Sequence, residues 1–147
     1  MKEKNPELIQ FVLRGLNYEQ FALIENAFNE GVEVKIGAAL RVMRNDESRF
    51  VGFFSRVDFT QNETPFIIVE TVSHFEIMQD SWNDILNKET NTLTIPNALA
   101  LHLATISFGV TRGYLLSKVE KNIKFNRFFV PLITIGNIIK EDMVIYP

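Results

Sequence analysis

Apolar residues recur with a period of two through the middle of the chain. Val32, Val34, Ile36, Ala38, Leu40 and Val42 fall on one face of an extended segment, with Glu33, Lys35 and Arg41 on the other. That alternation predicts a half-buried strand. The polar run Arg44 to Ser48 predicts a turn, after which Val51, Phe53, Ser55, Val57 and Phe59 alternate with Gly52, Phe54, Arg56 and Asp58. Thr60 to Pro65 turns the chain again. From Phe66 to Met78 a further strand places Ile67, Val69, Thr71, Ser73, Phe75 and Ile77 on one face. Three long strands joined by short polar turns predict an antiparallel meander.

The flanks read differently. Leu8, Ile9, Phe11, Val12 and Leu13 crowd together between Asn5 and Gly15, which predicts a short helix over Pro6 to Arg14. Glu19 to Phe28 predicts a first strand. Asp80 or Ser81 can cap a short helix carrying Trp82, Ile85 and Leu86, ended by the polar stretch Asn87 to Thr94. Ile95-Pro96 then opens a run to Ser117 in which Arg112 is the only charged residue, and Leu99, Leu103, Ile106 and Val110 follow helical spacing. The chain of 147 residues shows no repeat or linker, so one domain over residues 1–147 is expected. The fold class is α+β: an antiparallel meander sheet of about four strands packed on a long apolar C-terminal helix.

That helix carries Ala98, Leu101, Phe108 and Leu115 around the rest of its cylinder, so it needs cover on more than one side. A membrane span is disfavoured, because His102, Thr105, Ser107, Thr111 and Arg112 interrupt the run. One solution lays Leu99, Leu103, Ile106 and Val110 against a second subunit, with small residues permitting close approach, which predicts a homo-tetramer or dimer. The other lets the apolar C-terminal tail cover the outer face within one chain.

Composition narrows the function. A net charge of −3 opposes binding to nucleic acid or anionic lipid, and the cations Lys118, Lys121, Lys124 and Arg127 read as a solvated face near a helix C-terminus. The absence of cysteine removes thiol chemistry and thiolate metal sites. The first residues break into charge and proline where a signal peptide needs an apolar stretch, so a cytoplasmic location is expected. Glu70, His74 and Glu76 share one strand face but resemble an ordinary wet sheet surface more than a metal cluster. No serine sits in a nucleophile elbow and no glycine-rich loop matches a phosphate cradle, so neither an enzyme nor a cofactor is expected.

The order of elements, with Pro96 at the start of the apolar helix, Arg112-Gly113 at its end and Pro131-Leu132 beyond, resembles the SecB family of export chaperones and its SecB-like relatives over roughly Glu19 to Ile138. The resemblance implies a four-stranded antiparallel sheet with helices on one face, and a tetramer built as a dimer of dimers with the long helices between sheets. It also implies ATP-independent holding of unfolded precursor polypeptides in apolar grooves. Promiscuous holding needs apolar surface rimmed by polar groups, and Phe11, Trp82, Phe125, Phe128 and Phe129 are the candidates for lining such a groove. The family hands clients to the SecA motor through an acidic sheet face. Here Lys35 and Arg41 stand beside Glu33, Glu70 and Glu76, which leaves a SecA-type motor doubtful as a partner. Relatives outside general export, including those guarding an antitoxin, remain open. So does a different class, a non-catalytic protein-interaction or small-ligand module with an apolar pocket between sheet and helix.

Overall fold

The computed structural model describes residues 9–147. Four long strands form one antiparallel sheet: β1 (Phe11–Leu23), β2 (Lys35–Asn45), β3 (Phe50–Gln61) and β4 (Thr64–Ile77). The meander holds for β2, β3 and β4. The β3–β4 connection is tighter than the polar run suggested, a two-residue loop at Asn62-Glu63 with both φ values positive, the hairpin geometry that matches strand twist. On β3 and β4 every residue expected to face inward, from Val51 to Phe59 and from Ile67 to Ile77, is buried.

The strand order is β1-β4-β3-β2, so β1 pairs with β4 and the chain then crosses the whole sheet to begin β2 at the far edge. The crossing segment is anchored at three points. Ile24 donates its backbone N–H to the Phe66 carbonyl, the buried Gln61 amide bonds the backbone of Asn29 and Val32, and Phe28 packs its ring on Phe66 at 5.0 Å. Val32 and Val34 belong to this crossing, and regular pairing starts only at Lys35.

The helix expected over Pro6 to Arg14 is corrected: Pro6 to Leu8 lie outside the described residues, and from Phe11 the chain is strand. Pairing with β4 from Ile77 backwards settles the conformation, since Leu13 and Phe11 then share the inner face with Phe75 and Ile77. Two register shifts, at Leu13/Gly15 and Tyr18/Gln20, let β1 run for 13 residues along a curved neighbour.

After the sheet, α1 (Gln79–Ile85) buries Trp82 and Ile85, and Ser81 Oγ accepts the backbone N–H of Gln10. The polar stretch beyond it is a hairpin of β5 (Leu86–Asn87) and β6 (Thr92–Ile95), joined by β7 (Met143–Ile145) from the C-terminus into a small second sheet. The long helix α2 (Asn97–Val119) starts directly after Pro96, and Asp142 Oδ1 accepts its first backbone N–H.

α2 lies across β3 and β4. Its contact with them is polar at the middle, where the hydroxyls of Ser55, Thr71, Ser107 and Thr111 form one buried chain ending on the Phe53 carbonyl. This seam divides the apolar interior in two. One cluster gathers around Phe53, Phe75, Trp82 and Leu103, and the other around Phe59, Phe66, Phe108 and Phe125.

A helix is about 10 Å across and strands lie about 4.8 Å apart, so one helix covers about two strands. The inner faces of both edge strands therefore extend past it. On the β2 side the C-terminal segment supplies cover: Ile135 and Ile138 join Leu40 in packing against both apolar clusters, the Arg44 guanidinium donates to the Ile145 carbonyl, and Arg112 donates to the carbonyls of Val130 and Pro131. On the β1 side cover comes from α2 itself, His102 meeting Phe11 and Tyr114 meeting Tyr18 and Phe21, and Leu13, Leu16 and Tyr18 stay exposed.

Candidate polypeptide-binding surface

Phe28, Phe59, Phe66, Phe125 and Phe128 form one aromatic cluster at the end of the domain shared by the crossing segment, the β3–β4 turn and the C-terminus of α2. Edge-to-face and tilted contacts alternate in it, with Phe128 meeting Phe66 edge-to-face at 5.2 Å and Phe28 at 5.6 Å. Phe125 is fully buried in it, while Phe128 keeps part of its ring accessible. Beyond Phe128 the chain is extended and alternates: Val130 and Ile133 turn inward, whereas Phe129 is 65% and Leu132 92% exposed. Ile123, in the turn leaving α2, is 93% exposed.

The candidate groove residues thus separate. Trp82 and Phe125 are corrected to core positions: α1 turns Trp82 into one apolar cluster and Phe125 sits in the other, 5% and 0% exposed, which leaves no surface for a polypeptide. Phe11 is half-buried between Phe75 and His102, each ring 6.0 Å away. Phe128 and Phe129 present apolar surface, and the sequence pattern missed their exposed companions Ile123, Leu132 and Tyr18. Tyr18 stacks on Tyr114 at 3.9 Å yet remains 69% exposed. The shift from Leu16 to Tyr18 on the inner face of an edge strand carried the signal, but only the pairing of β1 shows which face that is.

The four helix residues expected at a subunit interface separate too. Leu99 and Leu103 are buried inside the protomer, a correction that follows from their position over the sheet and α1. Ile106 and Val110 are half-buried on the part of α2 between His102, which meets Phe11, and Tyr114, which stacks on Tyr18, and so lie toward the β1 edge. The outward stripe of α2 between them and the C-terminal segment holds His102, Thr105, Gly109, Gly113 and Leu116, all exposed and none carrying a fixed charge.

The outer face of the sheet is a lattice of compensated charges. Arg14 and Arg49 converge on Glu76, Arg41 approaches Glu70 and lies 4.1 Å over the Phe54 ring, and Arg56 faces Asp58. His74 is hydrogen-bonded to the Asn17 amide. Glu70, His74 and Glu76 are therefore partners of neighbouring side chains, and the face has no net acidic field. Among the described residues no three His, Asp or Glu side chains gather as a metal site.

Sheet and helix touch at the hydroxyl seam through bonds of 2.6 to 3.0 Å. An open cleft of about 370 Å³ lies at the β2 edge, between Leu40 and Val42 and the C-terminal residues Met143 to Tyr146. No family model matches the chain, and no curated protein is significantly similar to it. The class its architecture defines is α+β: a four-stranded antiparallel sheet backed on one face by an apolar C-terminal helix.

Proposed function

We propose that this protein is an ATP-independent holding chaperone that binds unfolded polypeptide segments on the apolar surface at the aromatic end of the domain. The observation that carries the proposal is the exposure of Ile123, Phe129, Leu132 and Tyr18 on a domain whose core is already complete. Single exposed apolar residues are normal, but Ile123, Phe129 and Leu132 lie on the one segment that carries Phe125 and Phe128, and Tyr18 adds an open ring on the β1 side, so together they offer surface that gains by desolvation. A sheet with an apolar helix on one face is also the arrangement expected from the resemblance to SecB. Clients destined for export and the clients of a specialised relative would bind through the same chemistry.

Self-association belongs to the proposal. The β1 edge, with Leu13, Leu16, Ile106 and Val110, offers both unpaired backbone and apolar side chains to a second copy. The uncharged outer stripe of α2 offers a second contact, which together would make a dimer of dimers. A SecA-type motor has no acidic sheet face to read here and is not part of the proposal. The open cleft beside Leu40 and Val42 supports a second reading, a module that binds a small apolar ligand.

The deciding experiment dilutes a chemically unfolded protein into buffer with and without this chain, in the absence of nucleotide, and follows light scattering. Suppression at near-stoichiometric ratios is expected. Unchanged aggregation at several-fold molar excess would overturn the chaperone proposal and leave the ligand-binding module standing.

A further inference from the structure

Between Lys118 and Arg127 four cations stand against one carboxylate, Glu120. The net charge of −3 is therefore not spread evenly over the molecule. From the facing segment, Glu30 holds Arg127 at 3.0 Å and Glu25 accepts the Asn122 amide. Lys118, Lys121 and Lys124 enter no ion pair among the described residues; every bridge there uses an arginine.

Two of these ammonium groups stand over aromatic rings, Lys124 over the aromatic cluster and Lys118 over the neighbouring rings of the β1 side. Lys118 Nζ lies 5.4 Å from the centre of the Tyr114 ring and 5.9 Å from that of Phe21. Lys124 Nζ lies 5.3 Å from Phe125 and 5.6 Å from Phe28. Ring faces hold a cation in place through their quadrupole but carry no net charge, so these contacts leave each ammonium able to pair with an incoming carboxylate. Tyr18, exposed and stacked on the Tyr114 ring beneath Lys118, and Ile123, exposed next to Lys124 in the chain, are where an apolar client side chain would settle.

An incoming apolar anchor strips water from the ammonium group beside it. A carboxylate next to that anchor restores the lost hydrogen bonds and adds attraction, whereas a lysine there adds like-charge repulsion. We infer that this surface selects polypeptide segments whose aromatic or aliphatic anchors are flanked by aspartate or glutamate. The inference rests on the holding-chaperone proposal and names the client chemistry of that same surface.

The test uses two labelled peptides with one shared aromatic core, one flanked by glutamates and one by lysines, titrated with the full chain and read by fluorescence anisotropy at low salt. The glutamate-flanked peptide is expected to bind about fivefold tighter or more, as two partly screened charge contacts provide. The preference should collapse in the Lys118→Gln/Lys124→Gln double variant and persist in Lys88→Gln/Lys140→Gln, which removes two exposed cations elsewhere. Equal binding of both peptides, tighter binding of the lysine-flanked one, or a preference unchanged in Lys118→Gln/Lys124→Gln would overturn the selectivity while leaving the chaperone proposal intact. Failure to bind either peptide would overturn both.

Discussion

Thr111 and Ser55 place their hydroxyl oxygens 2.6 Å apart in the buried seam between helix and sheet. The Thr71 and Thr111 hydroxyl oxygens lie 2.9 Å apart, and those of Ser55 and Ser107 2.8 Å. Each hydroxyl can donate once along the chain Thr71, Thr111, Ser55, Ser107, ending on the Phe53 carbonyl. Apolar side chains tolerate sliding over one another, but this chain is satisfied at one helix position only. The seam thus fixes where α2 sits along the sheet.

Thr111→Val keeps the shape and removes the central link. The buried Thr71 hydroxyl then has no partner, which costs about 1–3 kcal/mol. Urea unfolding should show a lower midpoint with an unchanged slope, because the surface exposed on unfolding is the same. A variant as stable as the parent would mean that the seam does not hold the helix.

Arg112 ties the C-terminal segment to α2 through the Val130 and Pro131 carbonyls at 2.7 and 2.8 Å. Arg112→Ala should destabilise the domain by about 1–3 kcal/mol and release the segment locally. Hydrogen exchange should rise at Phe128 to Ile133 while the amides of β3 and β4 stay protected. Arg112→Lys should rescue little, because a point-like ammonium does not reproduce a planar fork bridging two carbonyls.

Phe125 and Phe129 have the same chemistry and opposite roles. Phe125→Ala opens a cavity in the aromatic cluster and should cost about 3–5 kcal/mol of stability. Phe129→Ser, alone or with Leu132→Ser, should change stability by about 0.5 kcal/mol or less. The same Phe129→Ser/Leu132→Ser change should weaken suppression of client aggregation. Full suppression by that variant would move the client surface elsewhere.

Val110→Lys and Leu13→Lys each place a cation on the apolar β1 edge. Both sites have solvent access in the protomer, so the far-ultraviolet circular dichroism should be retained. Light scattering should report a smaller assembly than the parent forms. A parent chain that is monomeric at micromolar concentration would remove this edge as a subunit interface.

Legibility in the sequence followed the range of the interaction. The inner faces of β3 and β4, Val51 to Phe59 and Ile67 to Ile77, follow from period-two alternation, since pleating sends successive side chains to opposite faces whatever they meet. The apolar span of α2 follows from its near-total lack of charge. Phe11 to Leu13 have no such local signature: a run of apolar residues fits helix or strand equally, and pairing with Ile77 and Phe75 decides it. Nor does any local feature distinguish Phe125 from Phe129, or Leu103 from Val110. Their exposure depends on the crossing segment, on the path that Arg112 imposes on the tail, and on the two-strand width that one helix covers. The sequence by itself thus determined which faces are apolar and where the chain turns. What covers each face, and so which rings remain open to a partner, only the tertiary structure decided, because cover comes from residues distant in the chain and its extent from the geometry of packing.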